Sequence, residues 1–206
     1  RHELWFQGKK VCQDRPHAIV QFNKGENLLC MLVTNNNRNH WCRLRVSDPV
    51  RLDSETTWIK PFSVVGHWPR KEELPTPPMD EKPDFKQPFT VNGVSKDWKQ
   101  NKNLKTPEGY LDLQKITKNA DDSWVMVYSE VDVKEAGEYT LFIGGDDEYT
   151  LWINGQQVSK GYDGGWFPYR NSVKVPLRKG KNHAWAKVTN HSGPYAFSLR
   201  IHDKAK

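Results

Sequence analysis

The 206-residue chain has no run approaching 18 apolar residues, which excludes a membrane-spanning helix. No charged-then-apolar leader opens it, so a signal peptide is expected to be absent or already removed. There are only three cysteines, Cys12, Cys30 and Cys42, and none forms a C-x-x-C pair. Zinc ribbons, thioredoxin chemistry and c-type haem attachment therefore have no support. The seven histidines show no H-E-x-x-H or other metal-ligand spacing. No G-x-S-x-G, phosphate loop or dinucleotide fingerprint occurs. Asp and Glu pairs exist, but nothing singles out an acid and a base at a glycosidase separation. With no constellation of nucleophile, base and oxyanion donors, the chain reads as a non-enzyme. Its net charge of +6 comes from dispersed basic residues, which reads as a solvated surface rather than a polyanion-binding face. No nucleic-acid motif is present, so nucleic acid is not an expected partner.

What is there is aromatic and turn-rich. Nine Trp stand beside 14 Gly and 13 Pro, a mixture that suits short strands and turns better than helices. Trp58 to Val65 is a candidate first strand. Residues 69–88 hold Pro69, Pro75, Pro77, Pro78, Pro83 and Pro88, which predicts an extended surface strap with neither helix nor central strand. Ser123 to Val133 reads as a long strand with Val125, Val127, Val131 and Val133 on one face. Tyr139, Leu141 and Ile143 alternate, then Tyr149, Leu151 and Ile153, closed by the hairpin turn Asn154-Gly155. Val173, Val175 and Leu177 form another alternating run. Tyr195, Phe197, Leu199 and Ile201 form the last. No stretch carries a better helical period. The fold class is all-β, an antiparallel sandwich of jelly-roll type.

An internal repeat organises the chain. Leu4-Trp5-Phe6-Gln7-Gly8 matches Leu151-Trp152-Ile153-Asn154-Gly155, and Lys24-Gly25-Glu26-Asn27 matches Lys179-Gly180-Lys181-Asn182. Val33-Thr34-Asn35 matches Val188-Thr189-Asn190, and Leu44-Arg45-Val46 matches Leu199-Arg200-Ile201. The offset is 147 before a variable loop and 155 after it, so the second copy carries eight extra residues there. Residues 1–48 thus resemble only the last strands of the unit formed by 49–206, and the first of two tandem units is incomplete. Its missing strands belong to a longer polypeptide or come from another chain.

Gly144-Gly145-Asp146-Asp147-Glu148-Tyr149-Thr150-Leu151-Trp152-Ile153-Asn154-Gly155 resembles a signature of galactose-binding-like jelly-roll domains. Leu177-Arg178-Lys179-Gly180-Lys181-Asn182 and Phe197-Ser198-Leu199-Arg200-Ile201 resemble the closing strands of that family. Trp58-Ile59-Lys60-Pro61-Phe62 is similar to its opening, without the Gly before Pro. The paired Asp is also similar to the protective-antigen type of adhesin domain. The resemblance covers about residues 56–203 and implies an appendage of extracytoplasmic bacterial proteins, notably of planctomycete-like bacteria, placed in the periplasm or outside the cell. It implies a fold more than a function.

Asp146-Asp147-Glu148 is the densest carboxylate cluster. In the adhesin-type relatives a paired Asp binds Ca2+, which in turn holds a sugar, and Asp163 in the following loop is a further ligand candidate. Ca2+ takes about six to eight oxygens. The other reading is a charged turn between two strands, helped by Asx hydrogen bonds. The loop Gly161 to Arg170 spans the eight extra residues. Tyr162, Trp166, Phe167 and Tyr169 are its candidate ligand-binding aromatics, since flat rings with a polar edge stack on sugars or fill a partner's pocket. Alternatively, Trp166 and Phe167 fold back to cap the sandwich. Cys30 and Cys42 read as free buried thiols, although a one-residue slip in register would place them face to face.

Two functions follow. One is an interaction or assembly module, whose partners are other protein subunits or the missing N-terminal part of the same protein. It is motivated by the half unit, the Pro-rich strap and the many Trp. The other is a carbohydrate-binding module, assisted by Ca2+ at Asp146, Asp147 and Asp163.

Overall fold

The alternating apolar runs fold as antiparallel strands in a computed structural model that describes residues 2–13, 24, 28–33, 56–59, 61–74, 80–101, 111–118, 120–163 and 171–202. The chain divides into two units, Arg1–Glu55 and Thr56–Lys206.

In the first unit, β1 (His2–Phe6), β2 (Lys9–Gln13) and β3 (Leu29–Val33) form a sheet in the order β2-β1-β3. Gln7 and Gly8, at φ 47° and 75°, make a two-residue turn of the kind that needs positive φ at both centres. Leu28, Cys30 and Leu32 are exposed, whereas Leu29 and Met31 are half-buried. Cys30 is free and exposed, which corrects the expectation of a buried thiol. It lies opposite Trp5 on the face that also carries the exposed leucines. Cys42 lies outside the described residues.

The second unit runs through β4 (Thr56–Trp58), β5 (Phe62–Pro69), β6 (Phe89–Val91), β7 (Val94–Lys96), β8 (Lys99–Asn101) and β9 (Leu111–Asp112) to a single helical turn, α1 (Leu113–Thr117). It continues with β10 (Ser123–Val133), β11 (Gly137–Ile153), β12 (Gln156–Asp163), β13 (Asn171–Leu177), β14 (Gly180–Asn190) and β15 (Ala196–His202). Two layers share one strand. The first half of β11 pairs with β13 and β15, and its second half with β12 and β14. Beyond β14 the second layer continues through β10, β5 and β8. The result is an antiparallel β-sandwich. Leu141, Ile143, Leu199 and Ile201 of one layer meet Val125, Val127, Leu151 and Val188 of the other in a single buried core.

Four sequence expectations need correction. The opening strand is broken between β4 and β5 at Pro61, which has no N–H to give a ladder. Asp146 and Asp147 do not lie in a turn, because β11 runs through them without a break for 17 residues, with a cis peptide between the two. A short helix exists after all. Asp112 caps it, its carboxylate accepting the Lys115 N–H at 3.1 Å, and Lys118 ends it in the left-handed region.

The fourth correction concerns the strap and the tryptophans. The outer face of the second layer carries Trp68, Trp124, Met126, Tyr128, Trp152 and Trp185, all buried. Leu74, Phe85, Phe89 and Trp98 from the strap and the segment after it cover them. Each covered indole N–H needs a partner once water is gone. Trp124 donates to the Glu72 carbonyl at 2.7 Å, Trp68 to Val94 at 3.3 Å and Trp185 to Glu81 at 3.4 Å. Arg178 holds the strap's far end with a bidentate pair to Asp80 at 2.7 and 2.8 Å. The strap is a roof over aromatic side chains. Residues 75–79 of it lie outside the described residues.

Candidate functional site

The site lies at the β12 edge of the second layer, on its outer face. Strand alternation sets it up. Tyr149 and Leu151 point into the core, so Glu148 and Thr150 between them point out. Across the ladders Glu148 is flanked by Tyr162 and Thr189, and Thr150 by Lys160 and Lys187. These residues make a patch of two rows and three strands beside the roofed aromatic cluster.

Tyr162 is the patch's protruding ring, 64% exposed. Its ring centroid is 5.5 Å from that of His191, tilted by 45°. His191 Nε2 meets Glu148 Oε1 at 2.9 Å, and the His191 backbone N–H donates to Asp147 Oδ2 at 2.7 Å. The tip bearing His191 is itself pinned. Buried Asn190 donates to the Ala120 carbonyl at 3.1 Å, and Asp121 Oδ1 accepts the Gly193 N–H at 3.0 Å. Lys187 lies with Nζ 4.7 Å from the Trp124 ring centroid. Burial lowers its pKa and the Lys160 charge lowers it further, while Glu148 and Glu73 act against the shift.

Beneath the patch, Tyr149 is 1% exposed and its hydroxyl meets Ser159 Oγ at 3.2 Å. Its ring needs two glycines. A Cβ at Gly145 would lie 2.5 Å from Tyr149 Cδ1, and one at Gly161 2.6 Å from Cε1. Thus the Gly-rich run before the paired Asp serves an aromatic ring in the core.

The structure brings some of the expected residues together. Asp163 is the last residue of β12, rather than in a loop, and pairs with Asp147. Asp146 precedes it on β11. Trp166, Phe167 and Tyr169 lie outside the described residues, as does the side chain of Asp163. For Ca2+, the described residues do not suffice. One Asp147 oxygen is committed to the His191 N–H, and no group of three or more carboxylate, His or Cys side chains able to hold a metal occurs among the described residues. The Glu148–His191 pair escaped sequence reasoning, because it depends on the register of β11 against β14. The signal was present in the tip Asn190-His191-Ser192-Gly193, once paired with Asp147-Glu148.

No family model matches the chain, and no curated protein matches it. Solved structures do resemble it. A family 35 carbohydrate-binding module from an environmental isolate is 16% identical over 38% of this chain and 66% of its own, with a TM-score of 0.32. A PA14 sugar-binding domain from an RTX adhesin is 17% identical over 40% and 48%, with a TM-score of 0.32. The PA14 domain of the antifreeze protein MpAFP is 15% identical over 71% and 85%, with a TM-score of 0.41. The chain itself is an antiparallel β-sandwich with an exposed, hydrogen-bonded aromatic patch at one sheet edge.

Proposed function

We propose that the chain is a non-catalytic binding module and that its second unit takes a carbohydrate at the β12 edge. One observation carries the reading: Tyr162 stands 64% exposed beside the hydrogen-bonded Glu148–His191 pair. A flat ring offers a sugar's C–H face an apolar surface, and polar groups around it fix the hydroxyls. Glu148 supplies acceptors, and Lys160 supplies donors. The same ligand is assigned Trp166, Phe167 and Tyr169, which follow Asp163 in sequence. The pattern suits a protein working in the periplasm or outside the cell.

The test is a broad glycan array of the full chain, run with Ca2+ and again with chelator. Tyr162→Ala should abolish the signal without changing the melting temperature. Should the array stay blank for the folded protein in both conditions, the reading fails. A signal that needs Ca2+ and is lost in Asp146→Asn would assign the cation to Asp146, Asp147 and Asp163.

A second reading, an assembly module for other protein subunits or a further part of the same polypeptide, is favoured by the first unit. Leu28 and Leu32 are 63% and 56% exposed there, on the face of Cys30. In the second unit the equivalent face is roofed by aromatics. Native mass spectrometry of material from its source should then find the chain in a larger particle, and a lone folded chain would sink this reading.

A further inference from the structure

Four strands across the same sheet from Tyr162, β5 carries a bulge. Trp68 pairs with Trp124 and Gly66 with Val125, so His67 between them has no partner of its own on β10. Bulges re-aim side chains, and this one turns His67 to a cleft under the β6–β7 hairpin. Gly66 makes the bend feasible. Its φ is 127°, and a Cβ there would lie 3.0 Å from the Trp68 ring and 3.2 Å from the Val125 backbone.

The cleft encloses about 180 Å³, the space of about six water molecules. Pro69 and Val94 are its exposed apolar lining, with Trp68 and Val91 buried beneath, and His67, Lys96, Glu72 and Asn92 line the remainder. Two hydrogen bonds hold the hairpin over it independently. The Trp68 indole donates to the Val94 carbonyl at 3.3 Å, and the Asn92 amide donates to Glu72 Oε2 at 2.6 Å. The second bond also occupies one oxygen of Glu72, the only carboxylate lining the cleft among the described residues. Lys96 is left as the cation facing the space, while Lys99 Nζ donates to the Ile116 carbonyl at 3.1 Å. The field at His67 reflects this: after burial, both lysines lower its pKa. At neutral pH His67 is therefore an uncharged donor beside a cation.

We propose that this cleft binds a small organic carboxylate, with its acid group on Lys96 and His67 and its apolar body against Pro69 and Val94. The volume admits one ring. An ammonium-to-carboxylate hydrogen bond in a partly desolvated cleft supplies the discrimination. This site is separate from the Tyr162 patch and does not depend on it.

The test is an NMR titration of the full chain with benzoate and, in parallel, neutral benzamide. Benzoate should shift the Trp68 indole and His67 ring signals saturably, and benzamide should bind about tenfold more weakly or worse, the usual worth of a charge-assisted bond. Lys96→Met should weaken benzoate to the same extent while the amide spectrum stays folded. Tyr162→Ala should leave benzoate binding unchanged. Equal response to benzamide, no saturable shift with benzoate, or undiminished benzoate binding in Lys96→Met would each overturn the proposal.

Discussion

Gly145 and Tyr149 are locked together: a Cβ on the glycine would fall 2.5 Å from the tyrosine ring. Tyr149 is 1% exposed and has no room to retreat. Gly145→Ala is therefore expected to destabilise the second unit by about 1–3 kcal/mol through overpacking. Denaturant melts of Gly145→Ala, Tyr149→Ala and the double variant check this. The two costs should fall well short of adding, because truncating the ring removes the clash.

The roof and its anchor differ in worth. Trp185 is 4% exposed and touches Phe89, Trp98 and Tyr128. Trp185→Ala should cost about 3–5 kcal/mol. Arg178→Ala removes the bidentate pair to Asp80, but both side chains are largely exposed. It should cost about 1 kcal/mol or less. Urea denaturation of the two variants separates them, and similar losses would contradict the packing described.

Asn182 ties three segments at one buried point. Its amide lies 2.8 Å from the Arg178 carbonyl and 3.3 Å from the Val131 carbonyl, while its oxygen accepts from Asn154 at 2.8 Å. Asn182→Ala leaves buried groups without partners and should cost about 1–3 kcal/mol. Hydrogen exchange should quicken first at the Arg178–Gly180 turn and at the Asn154-Gly155 turn, which share this residue.

Tyr195 gives a pH dependence. Burial raises its pKa to about 12, against the counteracting hydrogen bond with Thr117, 2.8 Å away. Above pH 10 the unfolded chain loses this proton and the folded chain keeps it. The native state then binds more protons, so stability falls as pH rises from about 10 to 12. Tyr195→Phe should flatten that part of the alkaline unfolding curve. At pH 7 it should cost about 1 kcal/mol, because the Thr117 hydroxyl still bonds the Leu113 carbonyl.

Strand alternation was legible in the sequence wherever one face met the core. Ser123–Val133 has the bounds read from the sequence, and the last strand, read as Tyr195 to His202, begins one residue later. The repeat is a matter of geometry as well as letters. Trp5 pairs with Cys30 as Trp152 pairs with Trp185, and each hairpin has a register shift just before its Trp. The Gln7 N–H reaches the Leu28 carbonyl at 3.0 Å, as the Asn154 N–H reaches His183 at 2.9 Å. Two things were hidden. Gly144-Gly145-Asp146-Asp147 carries the composition of a turn, and only the sandwich's need to pass a strand between layers makes it continuous. The indoles looked like a surface for partners because no local pattern pairs Trp124 with a carbonyl 52 residues earlier. Of the candidate site, Asp147 was read as a metal ligand and Tyr162 as a ligand-binding ring; the structure gives Asp147 the His191 N–H, and His191 needed the register.

The roof also bears on how the protein can be cut. A fragment trimmed to begin at Ser123, where the long strands start, would keep the shared strand β11 and part of the inner core. It would lose β5, the hairpin and every carbonyl that receives an indole N–H. Trp124, Trp152 and Trp185 would then open to solvent on one contiguous apolar plane, a surface that drives self-association. Recombinant boundaries for the second unit therefore belong upstream of Thr56, and a soluble product depends on carrying the proline-rich segment along.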